Sequence, residues 1–250
     1  MENNKIFGLR PVLEAFKAGK TFEKIMIREG GVSDMLFQIV DLAGKNSVTL
    51  NRVPVERLNR LAKGGNHQGV VAFLSAAEYA GLEDVMEKIA QSEKLPFLLL
   101  LDRITDVRNF GAIARTAECA GIDAIVVAAK GAAPLNIDAM KTSAGALNHI
   151  PVCRVPNLRT AIYLLRSYDI KIVATSERSG KDYFSADLSG AVAIMLGSEE
   201  SGISANNLEL ADETLRIPLC GNIDSLNVSA AAAVVSFECV RQRKQKRVAE

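Results

Sequence analysis

LGSEESGI (Leu196–Ile203), followed after a short polar run by IPLCGNIDSLNVSAAAA (Ile217–Ala233), is the stretch that decides how this chain is read. It places two glycine-bearing loops and a small-residue helix about one pocket. Gly221 allows close backbone approach, Ser225 or Asn227 can cap the final helix, and Ala230 to Ala233 let that helix lie tightly against its neighbours. The rest of the chain is built to present these loops.

Outward from this stretch, apolar runs recur at even spacing: FLLLL from Phe97, DAIVVAA from Asp123, IPVCRV from Ile150, IKIVAT from Ile170, AVAIML from Ala191 and TLRIPL from Thr214. Runs buried on both faces are what parallel strands look like, and helical patterns lie between several of them. An α/β layered domain over residues 95–250 follows. Upstream, Leu9–Ala18 and Ser33–Ala43 have helical spacing, Glu23–Arg28 is strand-like, Pro54 opens a helix through Leu61, and GGNHQGVVAFL reads as a turn and a strand. Residues 1–75 thus form a small α/β unit. Leu82, Val85, Met86 and Ile89 lie at helical spacing amid charges, and a linker helix is expected over 76–94.

Composition narrows the function classes. A chain of 250 residues, 48% of them apolar, can bury a sizeable core, and its formal net charge of +1 provides no overall field for nucleic acid. Any such partner must be met by a local patch. Arg10, Lys17, Lys20, Lys24 and Arg28 form one candidate; the tail RQRKQKR, with Arg241, Arg243, Lys244, Lys246 and Arg247, is denser. Cys119, Cys153, Cys220 and Cys239 are far apart, without C-x-x-C pairing and with only His67 and His149 as imidazole companions, so neither zinc nor any other metal site is expected. Reduced thiols in a cytoplasmic protein are the expectation, with Cys119 and Cys239 in the core. The longest apolar run, Leu95–Leu101, is far below the roughly 20 residues of a spanning helix, and MENNKIFGLRP lacks a signal-peptide core, so no membrane association is expected.

G-x-G-x-x-G follows no strand, and the GKT at Gly19 fails the P-loop pattern because Glu14 stands where its first glycine belongs. Chemistry is therefore sought in the loops at strand ends, where α/β domains bind ligands. LDRITDVRNFGAIARTAECAG (Leu101–Gly121) packs Asp102, Arg103, Asp106, Arg108 and Asn109 into a turn, then starts a helix at about Gly111. Ile113, Ala117 and Ala120 make its buried stripe and turn Arg115 outward. Arg115 either meets an anion or pairs with Glu118; Asn109 is either a helix cap or part of a site. GSEESG is either a tight turn with Ser204 capping the next helix, or a pair of carboxylates that orient an arginine or accept a ribose hydroxyl.

Taken in order, LDRITDVRNFGAIARTA, LGSEESGI and IPLCGNIDSLNVSAAAA resemble the three motifs of the SpoU (TrmH-like) branch of the SPOUT RNA 2'-O-ribose methyltransferases. FGLRPVLEAF and NHQGVVA resemble the N-terminal substrate-binding domain of its RlmB subgroup, so the resemblance spans nearly the whole chain. It implies a trefoil-knotted α/β methyltransferase domain, which periodicity could not indicate and which general topology rules disfavour. It also implies S-adenosylmethionine held mostly by backbone groups, with Gly197, Ile217, Leu226 and Thr175 around the cofactor. Asn109, Arg115, Glu199, Ser225 and Asn227 carry over as the catalytic set. The family's homodimers build each active site from both subunits, so Arg115 is expected to serve the partner's cofactor.

The resemblance makes a guanosine in the peptidyl-transferase loop of 23S ribosomal RNA the first-choice substrate. A transfer-RNA 2'-O-methyltransferase and a non-catalytic RNA-binding protein are the alternatives; joint presence of the five catalytic-set residues argues against the latter. Two departures stand out: Val107, where the first motif often has proline, and Glu200, where the second often has glycine. Arginine suits deprotonation poorly, because a guanidinium pKa above about 12 is far from that of an effective base near neutral pH. A clamp on the developing alkoxide and the adjacent phosphate suits Arg115 better.

Overall fold

The structure, a computed structural model, describes residues 5–92 and 94–249, the last three of these by backbone alone. Its contacts divide the chain into two units, one running up to Glu78 and taking in Pro134–Ile137, the other comprising Tyr79–Ala133 and the chain from Asp138 on.

In the first unit, strands β1 (Lys5–Phe7), β2 (Phe22–Arg28), β3 (Thr49–Val53) and β4 (Val70–Leu74) form a sheet of order β1-β4-β2-β3, in which β4 runs antiparallel to both neighbours and β2 parallel to β3. Helices α1 (Leu9–Lys17) and α2 (Asp34–Lys45) bury Val12, Leu13, Leu36, Ile39 and Ala43 against Ile25, Ile27, Val70 and Ala72. Helix α3 (Val55–Ala62) buries Leu58 with Met26, Val53 and Val71 in a separate cluster. Alternation along β2 and β4 supplies both clusters, since successive side chains point to opposite faces. Pro54 stands at the N-cap of α3, one residue before the position expected. The short strands β1 and β3 were not apparent as separate apolar runs: β1 has three half-buried residues, and Asn51 and Arg52 of β3 are exposed.

The second unit holds all six strands read from the apolar runs: β5 (Phe97–Asp102), β6 (Ala124–Ala128), β7 (Val152–Val155), β8 (Lys171–Thr175), β9 (Val192–Gly197) and β10 (Glu213–Leu215). They form one parallel sheet of order β10-β8-β9-β5-β6-β7. Strand β5 is buried at every residue, as a strand covered on both faces must be. Helix α4 (Leu82–Ala90) contributes Leu82, Val85, Met86 and Ile89 to the core of this unit, together with α7 (Leu158–Ser167). Its remaining helices are α5 (Val107–Cys119), α6 (Ile137–Thr142), α8 (Ala205–Leu208) and α9 (Val228–Ala249), and α5 packs along α9. Among the described residues no helix is long and apolar enough to cross a membrane.

The four cysteines are free thiols, but Cys119 lies exposed at the end of α5 rather than in the core, as does Cys220 in its loop. Cys153 and Cys239 are buried, and burial pushes their thiols up, to about 12 and about 11 respectively.

Candidate active site

The carboxyl ends of β5, β8 and β9 lie side by side in the sheet, with Asp102 in register with Gly197. The loops leaving β8, β9 and β10 surround a cleft of about 620 Å³. Leu196, Ile203, Leu208, Leu215, Ile217, Leu226, Val228 and Ala231 give it apolar walls; Glu177, Arg178, Glu199 and Glu200 are its charged lining.

The loop after β9 folds back so closely at its start that only glycine fits there. A Cβ on Gly197 would stand 2.0 Å from the carbonyl carbon of Gly202 and 2.1 Å from the Ile203 nitrogen. The loop closes on itself: the Ser198 N–H donates to the Gly202 carbonyl at 3.1 Å, and the Gly202 N–H returns to the Ser198 carbonyl at 2.8 Å. Gly202 is left-handed, at φ +62°, and Glu199 and Glu200 are exposed at the turn.

The loop after β5 braces this turn. Asp102, buried at the strand end, accepts the Ser204 N–H at 2.7 Å. Ser204 holds the N-cap position of α8, yet its side chain makes no capping bond. Arg103 donates to the Gly202 carbonyl at 3.1 Å and lies 3.5 Å from the Asp102 carboxylate. It does so from φ +60°, a conformation that disfavours any side chain by roughly 1–2 kcal/mol. Asp106, not Asn109, caps α5: its carboxylate accepts the Arg108 N–H at 2.7 Å and two guanidinium bonds, which hold its pKa below the usual carboxylate value. The helix therefore begins at Val107, four residues earlier than expected from Gly111. Val107 occupies the first helical position, where proline is also at home because that N–H has no helical partner. Gly111 is needed for close approach, since its Cβ would lie 2.0 Å from the Thr142 hydroxyl.

Asn227 ties the three loops together. Its side-chain oxygen caps α9, accepting the N–H groups of Ser229 at 3.0 Å and Ala230 at 3.4 Å and the Ser229 hydroxyl at 2.5 Å. Its amide donates to the Asn109 side-chain oxygen at 3.0 Å and to the Glu199 carboxylate. One side chain thus joins the first turn of α5, the loop after β9 and the start of α9.

Of the residues singled out from sequence, Thr175, Gly197, Glu199, Ile217, Ser225, Leu226 and Asn227 line the cleft, and Asn109 stands at its edge through Asn227. The Thr175 hydroxyl is engaged within the sheet, donating to the Met195 carbonyl at 3.0 Å. Arg115 is not among the lining residues. It is exposed on α5 and its side chain has no hydrogen bond or ion pair among the described residues, so the pairing with Glu118 does not form. Exposed pairs of that kind are worth little. Gly221 is open, with nothing within 4 Å of a Cβ placed there, and the close approach belongs to Gly197 instead. Sequence reasoning missed Glu177 and Arg178, which follow β8 after Ser176, and the bracing role of Asp102 and Arg103; a position at or just beyond a strand end was the available signal. No cluster of three or more His, Cys, Asp or Glu placed to hold a metal occurs among the described residues.

Two arginines of the basic tail are committed elsewhere. Arg243 donates to the carbonyls of Leu95, Pro96 and Gly190 at 3.0, 2.7 and 2.6 Å and lies 4.8 Å from the Phe97 ring centroid. Arg241 makes two bonds of 2.7 Å to Glu238. Lys244 and Lys246 remain exposed, and the Arg247 side chain lies outside the described residues.

Two family models match the chain: that of the SpoU rRNA Methylase family over residues 96–237, and that of the RNA 2'-O ribose methyltransferase substrate-binding domain over residues 5–80. The chain is 33% identical to the TrmH-family protein YacO of Bacillus subtilis (strain 168), with 97% of each chain covered. It is 34% identical to the 23S rRNA (guanosine-2'-O-)-methyltransferase RlmB of Vibrio parahaemolyticus, with 97% of this chain and 98% of the relative covered. Among solved structures, the SpoU methyltransferase AviRb of Streptomyces viridochromogenes, in complex with AdoMet, has a similar fold at a TM-score of 0.61 and 24% identity, covering 96% of this chain and 90% of that one.

Proposed function

The chain belongs to the SpoU rRNA methylase family, and from that premise we propose that it transfers a methyl group from S-adenosylmethionine to a ribose 2'-hydroxyl of RNA, that of a guanosine in the peptidyl-transferase loop of 23S ribosomal RNA. The observation that carries this reading is the Asn227 bridge, which gathers Asn109 and Glu199 at the edge of a cleft sized for a small molecule. The guanosine target is favoured by the full-length relative from Vibrio parahaemolyticus.

The cleft fits the cofactor. Its apolar walls suit an adenine ring, the close-packed backbone about Gly197 leaves main-chain groups to meet polar edges, and its carboxylates suit a cationic ligand. Leu219 and Leu226, 41% and 38% exposed at its mouth, are apolar surface for a ligand to cover. Thr175, Gly197, Ile217 and Leu226 are the residues we assign to holding it. When bound, the cofactor supplies an electrophilic methyl on a sulfonium.

The protein's share is positioning and electrostatics. Asn109, Glu199 and Asn227 form a fixed polar wall against which the ribose is oriented, and Ser225 provides a hydroxyl at the same wall. Holding the 2'-oxygen near and in line supplies much of the acceleration. Arg115 stabilises the developing alkoxide and holds the neighbouring phosphate, which or a water takes the proton. Its exposed, unpaired position on α5, away from the cleft lining, supports service to the active site of a second copy of the chain in a homodimer. The first unit, matched to a substrate-binding domain, takes the RNA, and the protein acts in the cytoplasm with its thiols reduced.

The test is transfer of labelled methyl from S-adenosylmethionine to a 23S ribosomal RNA fragment, with the product nucleoside identified after digestion. Labelled 2'-O-methylguanosine is expected. Label on a base, or none on any RNA, would overturn the reading.

A further inference from the structure

The charged groups of the cleft are out of balance. Three carboxylates, Glu177, Glu199 and Glu200, face one guanidinium, Arg178. Two other arginines nearby do not restore the balance: Arg108 feels Glu199 but is held by Asp106 at 2.8 Å, and Arg103 stands 3.5 Å from Asp102. Glu199 is bonded by the Asn227 amide, which is neutral and leaves its charge in place. Glu177 and Glu200 are exposed and have no hydrogen bond or ion pair among the described residues. The lining thus carries an excess of two negative charges that the fold itself does not neutralise.

This inference rests on the reading that the cleft takes S-adenosylmethionine. In the transfer, the bond from sulfur to the methyl carbon breaks, the bond from that carbon to the 2'-oxygen forms, and the hydroxyl proton leaves to phosphate or water. The sulfur keeps the electron pair and becomes a neutral thioether. One positive charge has left the cleft, while every other group of the cofactor is unchanged.

We propose that Glu177 and Glu200 discriminate charged cofactor from spent cofactor: their uncompensated carboxylates in the cleft lining favour the sulfonium over the thioether and so speed product exchange. Apolar walls and backbone groups bind the two forms alike, because both carry the same adenosine and amino-acid groups. Only the charged groups of the lining respond to the difference, and among them the carboxylates are in excess. Arg178, in the same lining, opposes them.

The experiment measures the dissociation constants of S-adenosylmethionine and S-adenosylhomocysteine on the full chain by calorimetry, for wild type, Glu177→Gln, Glu200→Gln, the double variant and Arg178→Gln. The readout is the ratio of the two constants, which is insensitive to losses that affect both ligands. For a charge acting across solvated space, each glutamate substitution should lower the preference for the sulfonium about twofold and the double variant about fourfold, while Arg178→Gln raises it about twofold. The wild-type preference should also shrink as salt is raised from 0.05 to 0.5 M, a range over which screening tightens, from about 14 Å to about 4 Å. Ratios that stay at the wild-type value in the double variant, or a preference indifferent to salt, would overturn the proposal. Failure of the wild type to bind either ligand would instead remove the cofactor reading beneath it.

Discussion

Replacing Asn227 separates two jobs that one side chain performs. Its oxygen caps α9 through the N–H groups of Ser229 and Ala230, while its amide reaches Asn109 and Glu199. Asn227→Ala removes both: loss of the cap costs about 1 kcal/mol, and the two bonds at this solvent-exposed position add about 1 kcal/mol. At about 2–4 °C per kcal/mol for a domain of this size, melting should fall by roughly 4–8 °C. Asn227→Asp keeps the capping oxygen and puts negative charge at a helix N-terminus, which is favourable by about 0.3–1 kcal/mol. It also sets a carboxylate against Glu199, with a repulsion of about 1 kcal/mol in water at 4 Å. The substitution also removes the amide and with it the two bonds to Asn109 and Glu199, leaving a net loss of about 1–2 kcal/mol, so the Asp variant should melt roughly 2–7 °C below wild type. Its transfer rate should fall about 100-fold or more, because the wall formed by Asn109 and Glu199 is pushed apart and alignment is lost. Differential scanning fluorimetry and a labelled-methyl assay on the same preparations read the two quantities. An Asp variant with wild-type turnover would refute the bridge as the element that assembles the site, and an Ala variant of unchanged stability would refute the cap.

Other outcomes follow from the same geometry. Gly197→Ala should abolish cofactor binding by calorimetry, because its Cβ would stand 2.0 Å from the Gly202 carbonyl carbon; retained affinity would contradict the close packing. Arg115→Ala should eliminate transfer while leaving S-adenosylmethionine affinity within about twofold, the loss being confined to alkoxide stabilisation; unaltered turnover would sink that assignment. Arg243→Ala should lower stability by about 2–3 kcal/mol in urea, since it strands the carbonyls it serves, whereas truncation after Arg243 should spare stability and report on RNA affinity alone. At pH 8, Cys153 and Cys239, with thiols raised to about 12 and about 11, stay protonated and inert, so a thiol reagent should titrate Cys119 and Cys220 rapidly and the other two only on unfolding.

The parallel sheet was legible in sequence because its central strands are buried on both faces and therefore almost wholly apolar, as β5 and β9 illustrate. Half-exposed β1 and β3 carry no such signature, and they escaped notice. Of the site, the side chains whose types fit a motif could be placed in advance, and the cleft contains most of them. The bracing of one loop by another could not be read. Asp102 meets Ser204 from 102 positions away, and Arg103 reaches Gly202 from 99; no local periodicity encodes such contacts. The same limit explains the misplaced cap: Asp106 and Asn109 are equally good capping residues by type, and only the actual start of α5 decides between them. Composition likewise could not single out Arg243, a half-buried clamp on the residues that lead into β5 and β9, from the exposed Lys244 and Lys246 beside it.

Ribose methylation mapped across total RNA from cells with and without this protein tests the central claim most directly. The account predicts that one 2'-O-methylguanosine, in the peptidyl-transferase loop of 23S ribosomal RNA, disappears when the protein is removed and returns when it is restored, but does not return with the Arg115→Ala variant. A methylation map unchanged by the protein's loss would contradict it.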